Sequence, residues 1–470
     1  MKHRKQWLAG LAALLLGGCA TFSEDGGTRN VDAALSARGV KQQAPWIRND
    51  DDAARTGIQV RALLAQPLTA DAAVQIALLN NRGLQAAYAE LGIAEADLVQ
   101  AGRLRNPGFS FGRLHRGEVV EYERAFIFDL LGLLTMPLRT QIGNERFRLA
   151  QGRITADILQ VAADTRRAWA GAVAAQQSAA YAEQVRSAAE AAAELARRMT
   201  LAGNFSKLDQ AREQAFYADA TAQLSRARQN ALAERERLTR LMGLWGEDTA
   251  YRLAERLPDP PPVLPAMTDI EQQALRQRLD VQGAMQDAAS LASTLGLTKA
   301  TGYFSLLEAK YIRNSESGEP RQTGYEIELR LPIFDFGTAR NARAEHSYMQ
   351  AVNRATDLAV RARSEVREAY GAWRTAHDLA KHYRDEVVPL RARISEETLL
   401  RYNGMLMSVF ELLAESRQQV SAVINAIEAQ RDFWIADATL HLAINGRSPG
   451  AIAAPGSALR TAAPAEGGGH

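Results

Sequence analysis

Few residues in this chain have the type and spacing to do chemistry. Cys19 is the only cysteine among 470 residues, so no internal disulfide can form and its thiol is open to modification. His377 and His382 stand five apart on a helical pattern, a poor spacing for two ligands of one metal. They read as solvated helix residues. Met405 and Met407 sit in a turn, where soft thioethers can meet copper but more simply pack. Asp209, Glu411 and Glu415 follow two turns, and Glu411 and Glu415 share one helix face. No GxxxxGK[ST] loop or HExxH helix occurs. The expectation is a chain that is not an enzyme and has no metal or cofactor.

Cys19 is explained by what precedes it. A basic start (Lys2, Arg4, Lys5) leads into an apolar run, Trp7 to Leu16, too short to span a bilayer as a mature helix. Gly17-Gly18-Cys19 ends it. This resembles the bacterial lipobox, which implies cleavage before Cys19 and attachment of lipid (palmitate and related chains) to it. Ala20, rather than an aspartate, resembles outer-membrane sorting. Residues 1–18 therefore read as a signal peptide and 19–64 as a lipidated, polar tether. Losing three basic residues takes the formal net charge from +2 to about −1. That balance carries no basic patch for nucleic acid, and no other run approaches the length of a transmembrane helix.

The chain repeats itself. Leu84-Gln85-Ala86-Ala87 matches Val281-Gln282-Gly283-Ala284, Arg166-Arg167-Ala168-Trp169 matches Arg367-Glu368-Ala369-Tyr370, Gly203 matches Gly404, and Gly246 matches Gly446. The offsets stay near about 200 residues, the mark of tandem halves. Residues 65–256 form the first repeat and 268–446 the second. Residues 257–267, LPDPPPVLPAM, join them, and five prolines there forbid helix and sheet. Thr69 with Asp71, and Thr268 with Glu271 as a capping box, signal where each half's first helix starts. Residues 447–470 are low in complexity and read as disordered.

The elements that must position these residues follow from periodicity. Each half predicts a helix (about 69–105 and 268–298), two strands, a very long helix, a tight turn and a second helix. The strands are expected at Gly108–His115, Glu121–Leu131, Gly302–Arg313 and Thr323–Phe334. Tyr325, Ile327, Leu329 and Leu331 alternate with Glu326, Glu328 and Arg330, a period of two. Glu308 and Lys310 alternate likewise with Leu307, Ala309 and Tyr311. Pro332 and Gly337 mark the bend from strand to helix. Then Val352, Ala355, Ala359, Ala362, Val366, Ala369 and Trp373 form one helical seam. A helix of about 60 residues would be about 90 Å long. The turns at Gly203 and Gly404 suit left-handed caps, and Ser206 with Asp209 and Ser408 with Glu411 suit N-caps.

The helices are committed to coiled-coil packing, and if the two-faced strands enter a membrane their open edges must be closed, because lipid satisfies no backbone group. Four strands are too few to close alone, so several chains must share one barrel.

At this point LPIFDFGTARNARA (331–344), RLRNPGFSFG (103–112) and the paired repeats resemble the outer-membrane efflux protein (TolC-like) family, in its lipoprotein branch. The resemblance covers roughly residues 65–446. It implies a mostly α fold with a small β part: long coiled-coil helices in a periplasmic α-barrel, and four strands per chain in a trimeric β-barrel. It implies a homotrimer in the bacterial outer membrane, acting as the passive exit duct of a tripartite exporter, docked to a periplasmic adaptor and an inner-membrane pump. It places Gly203, Asn204, Gly404 and Met405 in the adaptor-docking tips, and Asp209, Glu411 and Glu415 as gate candidates. Glu308, Lys310, Glu326, Glu328 and Arg330 become barrel-lumen candidates. FDLLGLLTMPLR (128–139) departs from the pattern, with Pro137 after the Phe-Asp pair, so the first strand-to-helix crossing is expected to bend differently. The alternative is a soluble periplasmic coiled-coil lipoprotein acting as adaptor or scaffold. That reading predicts solubility once Cys19 is replaced.

Overall fold

A computed structural model describes residues 21–301, 306–330 and 334–450. Cys19, Pro332 and most of the tail lie outside them. The chain forms two compact units, each built from both sequence halves.

The first unit holds residues up to Ala34, 86–155 and 279–360. Its strands are β1 (Gly108–Arg116), β2 (Val119–Asp129), β3 (Leu307–Glu316) and β4 (Gln322–Leu329), joined in that order into one antiparallel sheet. Both hairpins and the β2–β3 pairing of the two halves are therefore made within one chain. β2 ends at Asp129, two residues before the expected Leu131, because the Asp129 carboxylate accepts the Gly132 N–H at 2.7 Å and starts a helix there. The strand runs straight into that helix, and Pro137 sits inside it. The second crossing does bend: Gly337 has φ +76, donates its N–H to Asp335 at 2.8 Å, and precedes a helix starting at Thr338. A positive φ favours glycine there.

The helices are α1 (Thr28–Ser36), α2 (Asp50–Leu64), α3 (Ala70–Asn80), α4 (Arg82–Ala101), α5 (Leu130–Leu201), α6 (Lys207–Met242), α7 (Ile270–Gln277), α8 (Leu279–Ala300), α9 (Thr338–His382), α10 (Val388–Asn403) and α11 (Val409–Asn445). The first helix of each half is broken rather than continuous. The breaks fall at Asn81 and Arg278, both extended in ψ, and these positions are repeat-equivalent. Asn81 donates to Leu241 O at 3.0 Å, and Arg278, with a fully buried side chain, pairs with Glu365 at 2.5 Å. Tertiary partners thus pull two residues out of helical geometry. A π turn at Tyr383–Val387 separates α9 from α10. Pro389 follows it, and its missing N–H explains the shifted ladder.

Residues 35–85, 156–278 and 361–450 belong to the second unit. One core gathers Trp169, Val173, Leu238, Met242, Tyr251 and Leu257. Another gathers Val366, Ala369, Trp373, Phe433 and Leu440 along the expected seam. The repeat recurs in its ion pairs: Arg166 meets Asp71 and Arg367 meets Glu271, each at 3.1 Å. Thr69 caps α3 as expected. The Thr268–Glu271 box does not form. Asp269 is the N-cap, at φ 57 and without a side-chain cap bond, and Arg367 holds the Glu271 carboxylate instead. The proline linker is strapped down: Trp434 donates to Pro258 O at 2.9 Å and His377 bonds Pro261 O at 2.8 Å. His377 is therefore buried, not solvated, because the linker needs a donor for its carbonyl.

The segment read as a tether carries α1 and α2 and packs closely. Within the first unit the Ser23 N–H and hydroxyl both reach Glu95 Oε1, at 2.6 and 2.5 Å. Within the second, Gln43 and Gln75 bond reciprocally at 3.0 and 2.9 Å.

Candidate functional site

The sheet sorts its side chains by register. Glu308 stands opposite Glu328 and Asp129, and Lys310 opposite Glu326 and Ile127. These positions share one face, with Ala125, Ser110 and Gly112. Lys310 Nζ donates to Glu326 at 3.1 Å and to Glu328 at 2.7 Å. Cross-strand pairs of opposite charge stabilise a ladder. Arg330 continues that ladder, donating its N–H to Leu306 O at 3.3 Å.

The other face carries Phe109, Phe111, Phe126, Phe128, Tyr311, Tyr325, Ile327 and Leu329, all exposed, Tyr325 by 85%. The apolar run continues past the strands in exposed Leu133, Leu134, Phe334 and Phe336. Phe109 and Phe126 stack across the ladder with ring centroids 5.1 Å apart. An apolar sheet face of this size left to water is unfavourable, at roughly 25 cal/mol per Å². β1 and β4 each pair on one side only among the described residues, which leaves two open edges.

The two helical turns lie in the second unit. At the first, Gly203 has φ +78, and the Asn204 and Gly203 N–H groups close on Met199 and Thr200 carbonyls at 3.0 Å each. At the second, the same bonds come from Leu406 and Met405, to Arg401 at 2.9 Å and Tyr402 at 3.0 Å. The left-handed residue is therefore Met405, at φ 55. Gly404 has φ −80 and does not form the left-handed cap expected of it. The physical reason is the spacing to the next N-cap. Ser206 stands three positions after Gly203 and Ser408 three after Met405, so the serine sets the register and the glycines align one residue out.

Ser206 caps α6 and Ser408 caps α11 in a full capping box with Glu411. The Ser408 backbone N–H, then its hydroxyl, holds the Glu411 carboxyl below the usual glutamate range. Asp209 accepts from Ser206 at 2.5 Å and from Arg212 at 3.1 Å. Glu415 pairs with Arg391 at 3.3 Å. Each gate candidate is thus engaged inside the chain, and Arg212 and Arg391 offset two of the three charges. Met405 and Leu406 are 94% and 82% exposed, and Leu201 and Leu208 are exposed too. Met405 does not pack.

The charged run REQAFYADA (212–220), a pattern that reads as a solvated face, makes two contacts inside the unit. Glu213, its side chain 4% exposed, pairs with Arg417 at 3.0 Å, and Arg417 lies over Phe216 at 4.3 Å. The signal was available in the helical spacing of Glu213, Ala220 and Leu224, which share a buried stripe. A cavity of about 640 Å³ in this unit is lined by Asp164, Arg167, Arg431 and Asp432 among others. These four charges pair with each other: Arg167 meets Asp164 at 2.5 Å and Arg431 meets Asp432 at 2.8 Å.

No family model and no curated protein matches the sequence. Solved structures do match in fold. A membrane protein from Pseudomonas aeruginosa superposes with TM-score 0.69 at 19% identity, over 82% of this chain and 93% of that one. The outer-membrane channel OprN gives 0.65 at 17%, over 87% and 93%. The Campylobacter jejuni CmeC outer membrane channel gives 0.64 at 16%, over 84% and 87%. This chain has the fold of the outer-membrane channels, as the TolC-like resemblance implied: long helices with four strands per chain.

Proposed function

We propose that the protein is the exit duct of a tripartite efflux system, conducting substrates passively from the periplasm through the outer membrane. The observation that carries this reading is the two-faced sheet. It has an exposed apolar face, a charged face, and an unpaired edge on either side. Lipid would cover the first face, water in a pore would hydrate the second, and neighbouring chains would pair with the edges. The TolC-like resemblance implies a homotrimer, in which three chains of four strands would make a twelve-stranded barrel. Glu308, Lys310, Glu326, Glu328 and Arg330 would line its lumen.

A lipid on Cys19 would anchor the chain in the same membrane. The turns at Gly203–Asn204 and Gly404–Met405 would dock a periplasmic adaptor, with the exposed Leu201, Leu208, Met405 and Leu406 as contacts, and the adaptor would link to an inner-membrane pump. Asp209, Glu411 and Glu415 would contribute to the mouth as caps and ion-pair partners more than as a free acidic ring. In this reading the duct conducts passively, with no enzyme activity and no cofactor.

The test is a Cys19→Ser protein with its lipid removed. A duct stays in the detergent-extracted membrane fraction and shows hollow three-fold particles with a detergent belt in negative stain. Release as a soluble, beltless coiled coil would instead establish the periplasmic adaptor or scaffold.

A further inference from the structure

The apolar face of the sheet does not run unbroken to the hairpin ends. Following the register upward, Phe109 and Phe111 on β1 give way to Arg113. Phe128 and Phe126 on β2 give way to Arg124, and Ala309 and Tyr311 on β3 give way to Arg313. Phe111 stands opposite Arg124, and Arg113 opposite Tyr122. The ladder between Tyr122–Ser315 and Ala125–Ile312 brings Arg124 and Arg313 level. Three arginines from three adjacent strands thus form a row on one face, directly above the aromatic band.

Four observations set this row apart from ordinary surface charge. First, the carboxylates of the same strand ends, Glu121, Glu123 and Glu316, all occupy the opposite face by the same register. Second, none of the three arginines makes an ion pair among the described residues; Arg113 and Arg124 instead lie over the ring of Tyr122, at 5.7 and 5.6 Å, and Arg124 over Phe111 at 5.9 Å. Third, like charges set level on neighbouring strands destabilise a sheet unless an anion lies between them. Fourth, the row borders exposed apolar surface on the side away from the hairpin ends. Guanidinium groups stacked on aromatic rings keep their forks free for the planar oxygens of a phosphate.

We propose that Arg113, Arg124 and Arg313 form a binding site for the phosphate groups of lipid headgroups in the bilayer leaflet at the hairpin ends. The acyl chains of the same lipid would lie on the Phe109, Phe111, Phe126 and Tyr311 band. The proposal rests on the membrane reading of the sheet. The site holds lipid around the barrel and sets the depth at which the sheet sits. It also relieves the repulsion between its own arginines, so that bound lipid stabilises the strand pairing.

The test uses the full mature chain in neutral detergent and counts bound lipid by native mass spectrometry. The probes are diphosphoryl lipid A and its dephosphorylated form. The variants are Arg113→Gln, Arg124→Gln and Arg313→Gln combined, and a control that removes the same charge from two helices, Arg197→Gln, Arg198→Gln and Arg212→Gln. Flotation with neutral phosphatidylcholine vesicles is measured on each. The expected result is flotation of all proteins, retention of the phosphorylated lipid by wild type and control, and binding on the order of a hundredfold weaker in the sheet variant. Added inorganic phosphate leaves the lipid bound.

Equal retention of the two lipids, or an unchanged sheet variant, overturns the site while flotation keeps the membrane reading. Displacement by inorganic phosphate makes it a site for free anions and overturns the lipid assignment. If wild type fails to float, the membrane reading falls and the lipid site falls with it.

Discussion

At the turn between α10 and α11 a methionine occupies the left-handed position, with Gly404 idle beside it. A side chain at positive φ costs about 1 kcal/mol relative to glycine. Met405→Gly should therefore stabilise this turn by about that amount, read as slower amide exchange across residues 402–408. Gly203→Ala, at φ +78, should destabilise the first turn equally. Gly404→Ala should change little, since a Cβ there meets nothing closer than 3.5 Å. If Gly404→Ala and Gly203→Ala weaken their turns alike, the assignment of Met405 is wrong.

Glu411 gives the second turn a pH dependence. Its folded pKa lies below its unfolded one. Its contribution is therefore present above the ordinary glutamate range and disappears as the pH falls through the depressed folded value. Glu411→Gln should loosen the start of α11 at neutral pH and make no difference in strong acid. Both are checked by amide exchange of residues 409–413.

Between elements, the Glu213–Arg417 pair joins α6 to α11, with its carboxylate buried and its arginine partly exposed. One carboxylate oxygen and the Arg417 Nε have no hydrogen-bond partner, so the pair is not an optimised one. Arg417→Ala strands a buried carboxylate and should cost about 3–5 kcal/mol. Glu213→Leu with Arg417→Met should recover most of that loss, because a packed apolar pair replaces a poorly satisfied ionic one. Urea unfolding of the single and double variants gives the coupling energy, and additive losses would show that the two side chains act independently.

For the molecule as a whole, the sheet's two faces should respond oppositely to charge. Phe126→Arg puts a cation among the exposed aromatics and should cost roughly 2–4 kcal/mol of membrane assembly, depending on depth. Glu326→Gln alters the charged face and should leave assembly intact. The amount of protein in the outer-membrane fraction compares them; equal recovery of both variants would mean that the apolar face does not meet lipid.

The sequence by itself determined the elements and their faces. Period-two alternation marks Tyr325–Leu329 as a two-faced strand because successive side chains point to opposite sides whatever the surroundings. The seam from Ala362 to Trp373, the serine caps and the proline linker are legible for the same reason: each depends on residues a few positions apart. Tertiary structure decided what depends on distant partners. Asn81 and Arg278 break helices through contacts with Leu241 and Glu365, and Glu271 leaves its cap for Arg367. His377 is buried by a linker more than a hundred residues away in sequence, and the register of β2 on β3 brings Arg313 level with Arg124. A side chain's partner across the fold leaves no local period to read, so these arrangements appear only when the chain is closed upon itself.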